Sequence, residues 1–301
     1  MQMQADESYL EVRRAAGFQL KDVGSVLLAF ARYSQEHHLA HVNARIAVEW
    51  AALAPSPRQR YFRLMAVRYF ARYLQAEDHR HEIPPEGVFS SHLERRPPFI
   101  YSQQDINHLI EGAIRLAPKG CPYTYSTLLA LLSVTGLRIS EALALRLGDL
   151  TEDGLIIRKT KFRKSRLVPL HPTAVVGLES YLLHRFRVAA ETDHLFVSSV
   201  GRPLLAKVVQ RNFAILRESI GLKAAPGQRP PRIHDLRHSL AVRILEQCTG
   251  GRDRITEDML ALSTYLGHSK VAHTYWYFEA TPQLLAQISR DCEAFVRGDP
   301  R

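Results

Sequence analysis

Cysteine is scarce and poorly placed for a framework. Cys121, Cys248 and Cys292 are the only three in 301 residues. An odd number so widely spread builds neither a disulfide scaffold nor a Cys-x-x-Cys metal site, and it suits a reducing cytoplasm. Long apolar runs are missing as well, which excludes a helix crossing a bilayer. The opening residues, Met1-Gln2-Met3-Gln4-Ala5-Asp6-Glu7, have neither the basic start nor the apolar centre of a secretory leader. There is no internal repeat, no low-complexity tract, no P-loop and no acidic cluster spaced for a metal, so solenoids and P-loop NTPases are set aside.

What is present is positive charge. Forty Lys and Arg stand against thirty Asp and Glu, a formal net charge of +10. The partner implied is a polyanion, nucleic acid first; a merely basic soluble protein is the plainer alternative. The length suits two domains, each large enough for a core of its own.

Residues 1–97 read as the first domain and are helical. Residues 20–37 place Val23, Val26, Leu27, Phe30 and Ala31 on one face, and helical pattern begins there. A second helix covers about residues 43–53 and stops before Pro55. Ser56-Pro57 announces a third, because serine caps free backbone donors and proline loses nothing at the first helical position. Its stripe is Phe62, Met65, Ala66, Tyr69, Phe70 and Tyr73. Arg60, Arg63, Arg68 and Arg72 lie mostly off that stripe, either as a solvated basic face or as contacts to an anionic partner. Residues 75–98, rich in His, Pro and charge, read as the exit and linker. His79 and His81 have no partners to complete a metal site and are linker histidines.

Residues 98–301 form the second domain. A capped helix runs over residues 102–114, and residues 125–134 are apolar enough for a buried helix ended by Gly136. Arg138 falls in the following turn, with Ser140 able to cap the helix that starts at Glu141. An arginine between two buried helix ends either pairs structurally with Glu141 or serves chemistry. Residues 155–159 and 166–170 read as two strands of a hairpin. Its tip, Thr160-Lys161-Phe162-Arg163-Lys164-Ser165, is either a solvated turn or a lysine source for a phosphate. Helices are expected at residues 172–187 and 205–220, with Phe196-Val197 as a strand between them.

The densest chemistry lies in residues 233–278. If a helix starts at Ile233, His234 and Arg237 share a face. His234 and His238 are spaced like a zinc pair, but Asp235 stands at the wrong position and no third ligand follows, so no metal is expected. A helix over residues 257–266 ends at Gly267, and His268 follows. Tyr275 and Tyr277 point to nearly opposite faces, so at most one meets a common partner.

These motifs resemble the tyrosine recombinases, the integrase-type site-specific recombinases. The likeness rests on Thr135-Gly136-Leu137-Arg138-Ile139-Ser140-Glu141, on Lys161 before Arg166-Leu167-Val168-Pro169-Leu170, on His234-Asp235-Leu236-Arg237-His238, and on Leu266-Gly267-His268 with Tyr277 nine residues on. It spans about residues 99–280. The run Thr274-Tyr275-Trp276-Tyr277-Phe278 looks like that of some transposon-borne members. The resemblance implies a mainly α fold with a small β-sheet: a helical core-binding domain, then an α+β catalytic domain. It implies a catalytic set of Arg138, Lys161, His234, Arg237, His268 and the nucleophile Tyr277, supported by Glu141. Lys164 is the fallback for Lys161, and Tyr275 for Tyr277. Arg60, Arg63, Arg68, Arg72, Arg163 and Lys164 are the candidate DNA contacts. The implied partner is double-stranded DNA with a specific site, in a cytoplasmic, nucleoid-associated setting, with neither metal, ATP nor other cofactor. Leu284, Leu285, Ile288, Cys292, Phe295 and Val296 form a helical stripe that either packs on its own domain or exchanges with a neighbour in a cyclic tetramer on DNA. Type IB topoisomerase-like nicking and a silent DNA-binding protein are the rival readings.

Overall fold

A computed structural model describes residues 2–15, 20–90, 97–116, 122–158, 165–247 and 252–267, together with Arg297. The chain divides into two units, Met1–Arg96 and Pro97–Arg301.

Among the described residues of the first unit, four helices follow in order: α1 (Gln2–Ala15), α2 (Lys21–Glu36), α3 (Ala44–Ala52) and α4 (Pro57–Gln75). Asn43 caps α3 by accepting from the Ile46 N–H, and Ser56 caps α4 by accepting from Gln59 N–H. The core gathers Leu27, Phe30, Trp50, Val67 and Phe70. Helix α1 was not expected, since the apolar periodicity begins near residue 20. Among its described side chains it presents Tyr9 and Leu10 to that core, and Tyr9 wedges between Phe70 and Tyr73, with ring centroids 5.4 and 5.2 Å away. The face of α4 is also rotated from expectation. Leu64, Ala66, Val67, Phe70, Ala71 and Leu74 are buried, while Phe62 and Tyr69 are exposed. The aromatic residues suggested one stripe; the smaller Leu64, Val67 and Ala71 fit the packed side instead. His81 is not a linker residue but a structural one, its Nδ1 accepting from the Val42 N–H at 3.0 Å.

In the second unit α5 (Gln103–Arg115) and α6 (Pro122–Thr135) pack together ahead of α7 (Ile139–Ala144). Strands β1 (Leu150–Thr151), β2 (Gly154–Ile157) and β3 (Arg166–Val168) then form an antiparallel sheet in that order. Its register pairs Leu155 with Val168 and Ile157 with Arg166. Helices α8 (Pro172–Arg185), α9 (Ala206–Ser219), α10 (Asp235–Gln247) and α11 (Arg252–Leu266) complete the described chain. The fold is therefore mainly α with a small sheet. Ser102 and Asp105 close a reciprocal capping box on α5. Helix α6 is buried on several sides through Leu128, Leu129, Leu131 and Leu132.

Four local expectations are corrected. Helix α7 starts at Ile139, two residues early, with Arg138 extended as its N-cap and Ser140 inside it. Phe196-Val197 makes no strand; both are buried, and Val197 lies in an isolated bridge with Pro203. Helix α10 starts at Asp235, so Ile233 and His234 lie in the turn before it. Helix α11 reaches back to Arg252. Among the described residues, no helix is long and apolar enough to cross a membrane.

Candidate functional site

The site is built where α6 ends. Gly136 takes φ +60°, a left-handed value that glycine adopts without strain, and the chain leaves α6 there. Leu137 is buried, and Arg138 follows in extended conformation. The third residue of α7, Glu141, turns its carboxylate back to the helix start. It accepts from the Arg138 backbone N–H (3.0 Å) and from Arg138 Nη1 (2.8 Å). Strand β3 supplies a second guanidinium to the same group. Arg166 Nη1 and Nη2 donate to Glu141 Oε1 and Oε2 at 3.1 and 2.9 Å. The Glu141 side chain is only 8 % exposed. Burial pushes its carboxyl up, but the Arg166 and Arg138 hydrogen bonds outweigh this and hold it at about 2.

Three arginines converge on the end of α11. Arg166 Nε donates to the Tyr265 carbonyl at 3.1 Å, Arg237 Nη2 to Leu266 at 2.6 Å, and Arg138 Nη2 to Gly267 at 3.3 Å. The last carbonyls of a helix have no partner within it and carry partial negative charge, so cations are favoured there. Arg237 also donates Nη1 to the Gly136 carbonyl at 2.7 Å and is only 2 % exposed. One buried guanidinium thus joins the end of α6 to the end of α11. Gly267 has φ +67°, and a Cβ on it would meet Arg166 Nη1 at 2.7 Å.

His234 stands in the turn that leads into α10. Buried Asp235 shapes this turn, accepting from Arg232 N–H at 2.8 Å and pairing with the Arg232 guanidinium at 2.9 Å. The His234 ring meets His238 edge to face, with centroids 4.9 Å apart. Surrounding protein atoms lower the His234 pKa to about 4, helped by the charges of Arg237, Arg232 and Arg138 and opposed by Asp235. His234 is nonetheless an exposed residue, so water moderates the shift; the cationic neighbours still favour the neutral imidazole. His238 is lowered to about 3, by burial first and then by His234 and the nearby arginines.

Of the residues expected in the site, Arg138, Glu141, His234 and Arg237 come together. Lys161, His268, Tyr275 and Tyr277 lie outside the described residues, as do Arg163, Lys164, the three cysteines and the 284–296 stripe. Arg166 and Asp235 were missed as members. Their signal was weak, because Arg166 meets Glu141 across 25 residues of sequence. In the first unit, Arg60 donates to the Ala54 carbonyl and Arg63 lies over the Trp50 ring. Arg68 is paired with Glu86 and donates to the Pro84 carbonyl, while Arg72 is exposed.

Chemically, the arrangement offers fixed cationic donors beside an unprotonated imidazole, suited to an anion that gains charge during reaction. The profile of the Phage integrase family matches residues 99–283. The chain is 37 % identical over 302 residues to y4rB of Sinorhizobium fredii, provisionally described as an integrase/recombinase, covering 96 % of each. It is 30 % identical to the tyrosine recombinase XerC of Pelotomaculum thermopropionicum over 87 % of this chain and 81 % of that one. A lambda integrase dimer bound to a COC′ core site is similar in fold, with TM-score 0.68 at 16 % identity, over 92 % of this chain and 77 % of that one.

Proposed function

This chain belongs to the phage integrase family, and on that premise we propose that it is a site-specific DNA recombinase working through a 3′-phosphotyrosyl intermediate. It is a tyrosine recombinase by family. The observation that carries the finer reading is that Arg138 and Arg237, from segments about a hundred residues apart, meet at the helix end that precedes His268, with a neutral-leaning His234 in the field of both.

The chemistry follows from the substrate. Attack on a phosphodiester adds charge to its non-bridging oxygens, and the forked donors of Arg138 and Arg237 match those oxygens. The Tyr277 hydroxyl attacks phosphorus, with His234 taking the proton and His268 donating to the phosphate. A tyrosine hydroxyl, with a pKa of about 10, needs that help. The 5′ oxygen leaves and receives a proton from Lys161. One phosphoester replaces another, so the reverse attack by a second strand's 5′ hydroxyl needs neither ATP nor metal. The partner is double-stranded DNA with a specific target, bound by a cyclic homotetramer. Residues 1–97 serve as the core-binding domain and residues 98–301 as the catalytic domain.

The test is covalent capture. A library of nicked duplexes is offered to the parent, Tyr275→Phe and Tyr277→Phe proteins, and adducts are resolved on a denaturing gel. An adduct lost only in Tyr277→Phe is expected. Loss only in Tyr275→Phe keeps the enzyme and moves its nucleophile. DNA that is bound but never captured by the parent overturns the phosphotyrosyl mechanism.

A further inference from the structure

We propose that Arg166 is a positioning residue for strand cleavage: by occupying the Glu141 carboxylate it keeps Arg138 available to the phosphate. The proposal rests on the function proposed above and extends it to a residue outside the expected catalytic set.

A carboxylate binds a guanidinium best through two parallel hydrogen bonds. At Glu141 that bidentate face belongs to Arg166, at 3.1 and 2.9 Å. Arg138 therefore reaches the same carboxylate with a single side-chain bond, Nη1 to Oε1 at 2.8 Å. A guanidinium has five N–H donors. Among the described residues, Arg138 uses one on Glu141 and a second, longer one on the Gly267 carbonyl. The others are directed by where Arg166 has left Arg138. Without Arg166, Glu141 turns from a bracket into a competitor, closing bidentately on Arg138 and directing its fork away from a phosphate.

Charge points the same way. Arg138 and Glu141 alone sum to zero, whereas Arg166 returns a net positive charge to the cluster. Its side chain is only 14 % exposed, so this charge is poorly screened by solvent. The third bond of Arg166, from Nε to the Tyr265 carbonyl, holds its plane, and the space above Gly267 is filled by the same guanidinium. Arg166 opens β3, directly after the hairpin tip that carries Lys161 in the sequence. One side chain thus links the strand, the start of α7 and the end of α11.

The experiment uses the full chain and a nicked duplex captured by the parent, prepared with either a phosphodiester or a neutral methylphosphonate at the scissile position. Arg166→Met and Arg166→Lys are compared with Glu141→Gln and with the double variant Arg166→Met/Glu141→Gln, each checked by thermal melting. Arg166→Met is expected to slow phosphodiester cleavage by about a hundredfold, the usual consequence of a misaimed group. On the methylphosphonate, which asks less of a cationic donor, the deficit should shrink severalfold. The double variant should cleave faster than Arg166→Met alone, because the competing carboxylate is gone. Arg166→Lys, which keeps the charge without the fork, should fall between parent and Arg166→Met, and it carries the test if Arg166→Met does not fold. Equal deficits on both substrates, or losses that simply multiply in the double variant, would reduce Arg166 to a structural residue and overturn the proposal. A parent that binds DNA without cleaving it would instead remove the mechanism on which the proposal depends.

Discussion

The molecule uses arginine in two ways, and α4 and the surroundings of Glu141 show the contrast. Along α4 most guanidiniums lie at or near the surface, Arg68 apart. Arg60 meets a carbonyl six residues away, Arg63 covers Trp50, and Arg72 is exposed. Around Glu141, Arg166 and Arg237 are enclosed and Arg138 is half-buried, and they tie together segments distant in sequence: Arg237 reaches Gly136 across 101 residues, and Arg138 reaches Gly267 across 129. An exposed arginine contributes charge that salt screens and solvent blurs. An enclosed one contributes a direction, because its donors are fixed before any ligand arrives. The first kind suits attraction to a polyanion; the second suits aim.

If that contrast is right, the largest effect belongs to Arg237. Its replacement by alanine leaves the Gly136 and Leu266 carbonyls without this donor in a buried place. Each unsatisfied group costs about 1 to 3 kcal/mol, so Arg237→Ala should lose roughly 3 kcal/mol or more in urea unfolding. Arg237→Lys should recover only part of this, since a single ammonium does not reproduce a planar fork. An Arg237→Ala protein as stable as the parent would break the comparison at its strongest point.

Glu141 sharpens it through pH. The carboxyl sits at about 2 in the folded chain against an ordinary value of 4.5. A depressed folded pKa gives stability that is complete above about pH 4.5 and fades as pH falls toward 2. The shift corresponds to about 2 kcal/mol once solvent relaxation is discounted. The parent should therefore lose more stability than Glu141→Gln between pH 5 and pH 3. Parallel pH dependences would mean that the two arginines do not hold this carboxylate in solution.

The same contrast explains what was legible in the sequence. Local signals carried well: Ser56 and Ser102 cap the helices they were expected to cap, and Gly136 ends the helix it follows. Arg138 and Glu141, three residues apart, were readable as a pair because the start of a helix sets its cap residue beside its third residue. Arg166 was not, because a charged residue opening a strand announces nothing until the fold brings Glu141 beside it. Helix α1 escaped because its sequence, Gln2-Met3-Gln4-Ala5-Asp6-Glu7-Ser8 onward, holds too few apolar residues to establish a period. The rotation of α4 has a related cause. Phe62 and Tyr69 looked like core by type, yet Leu64, Val67 and Ala71 won the packed face by fit.

The smallest expected effects lie on α4, and they separate its own arginines. Arg68 is paired with Glu86 and bonded to the Pro84 carbonyl, with only 13 % of its side chain exposed. It resembles the enclosed class more than its neighbours do, although it was expected among the DNA contacts. Arg68→Ala should lower the stability of the chain by about 1 kcal/mol while leaving the salt dependence of DNA binding in place. Arg72, exposed one turn further on, should do the reverse. If it meets a phosphate, Arg72→Ala weakens binding and reduces the slope of log K against log salt by about 0.9, the value for one released counterion on duplex DNA. Measuring both variants by melting and by a salt titration on duplex DNA divides the helix by role. A reduced slope with Arg68→Ala would show that its Glu86 pairing opens to reach a phosphate, and that enclosure alone does not sort aim from attraction.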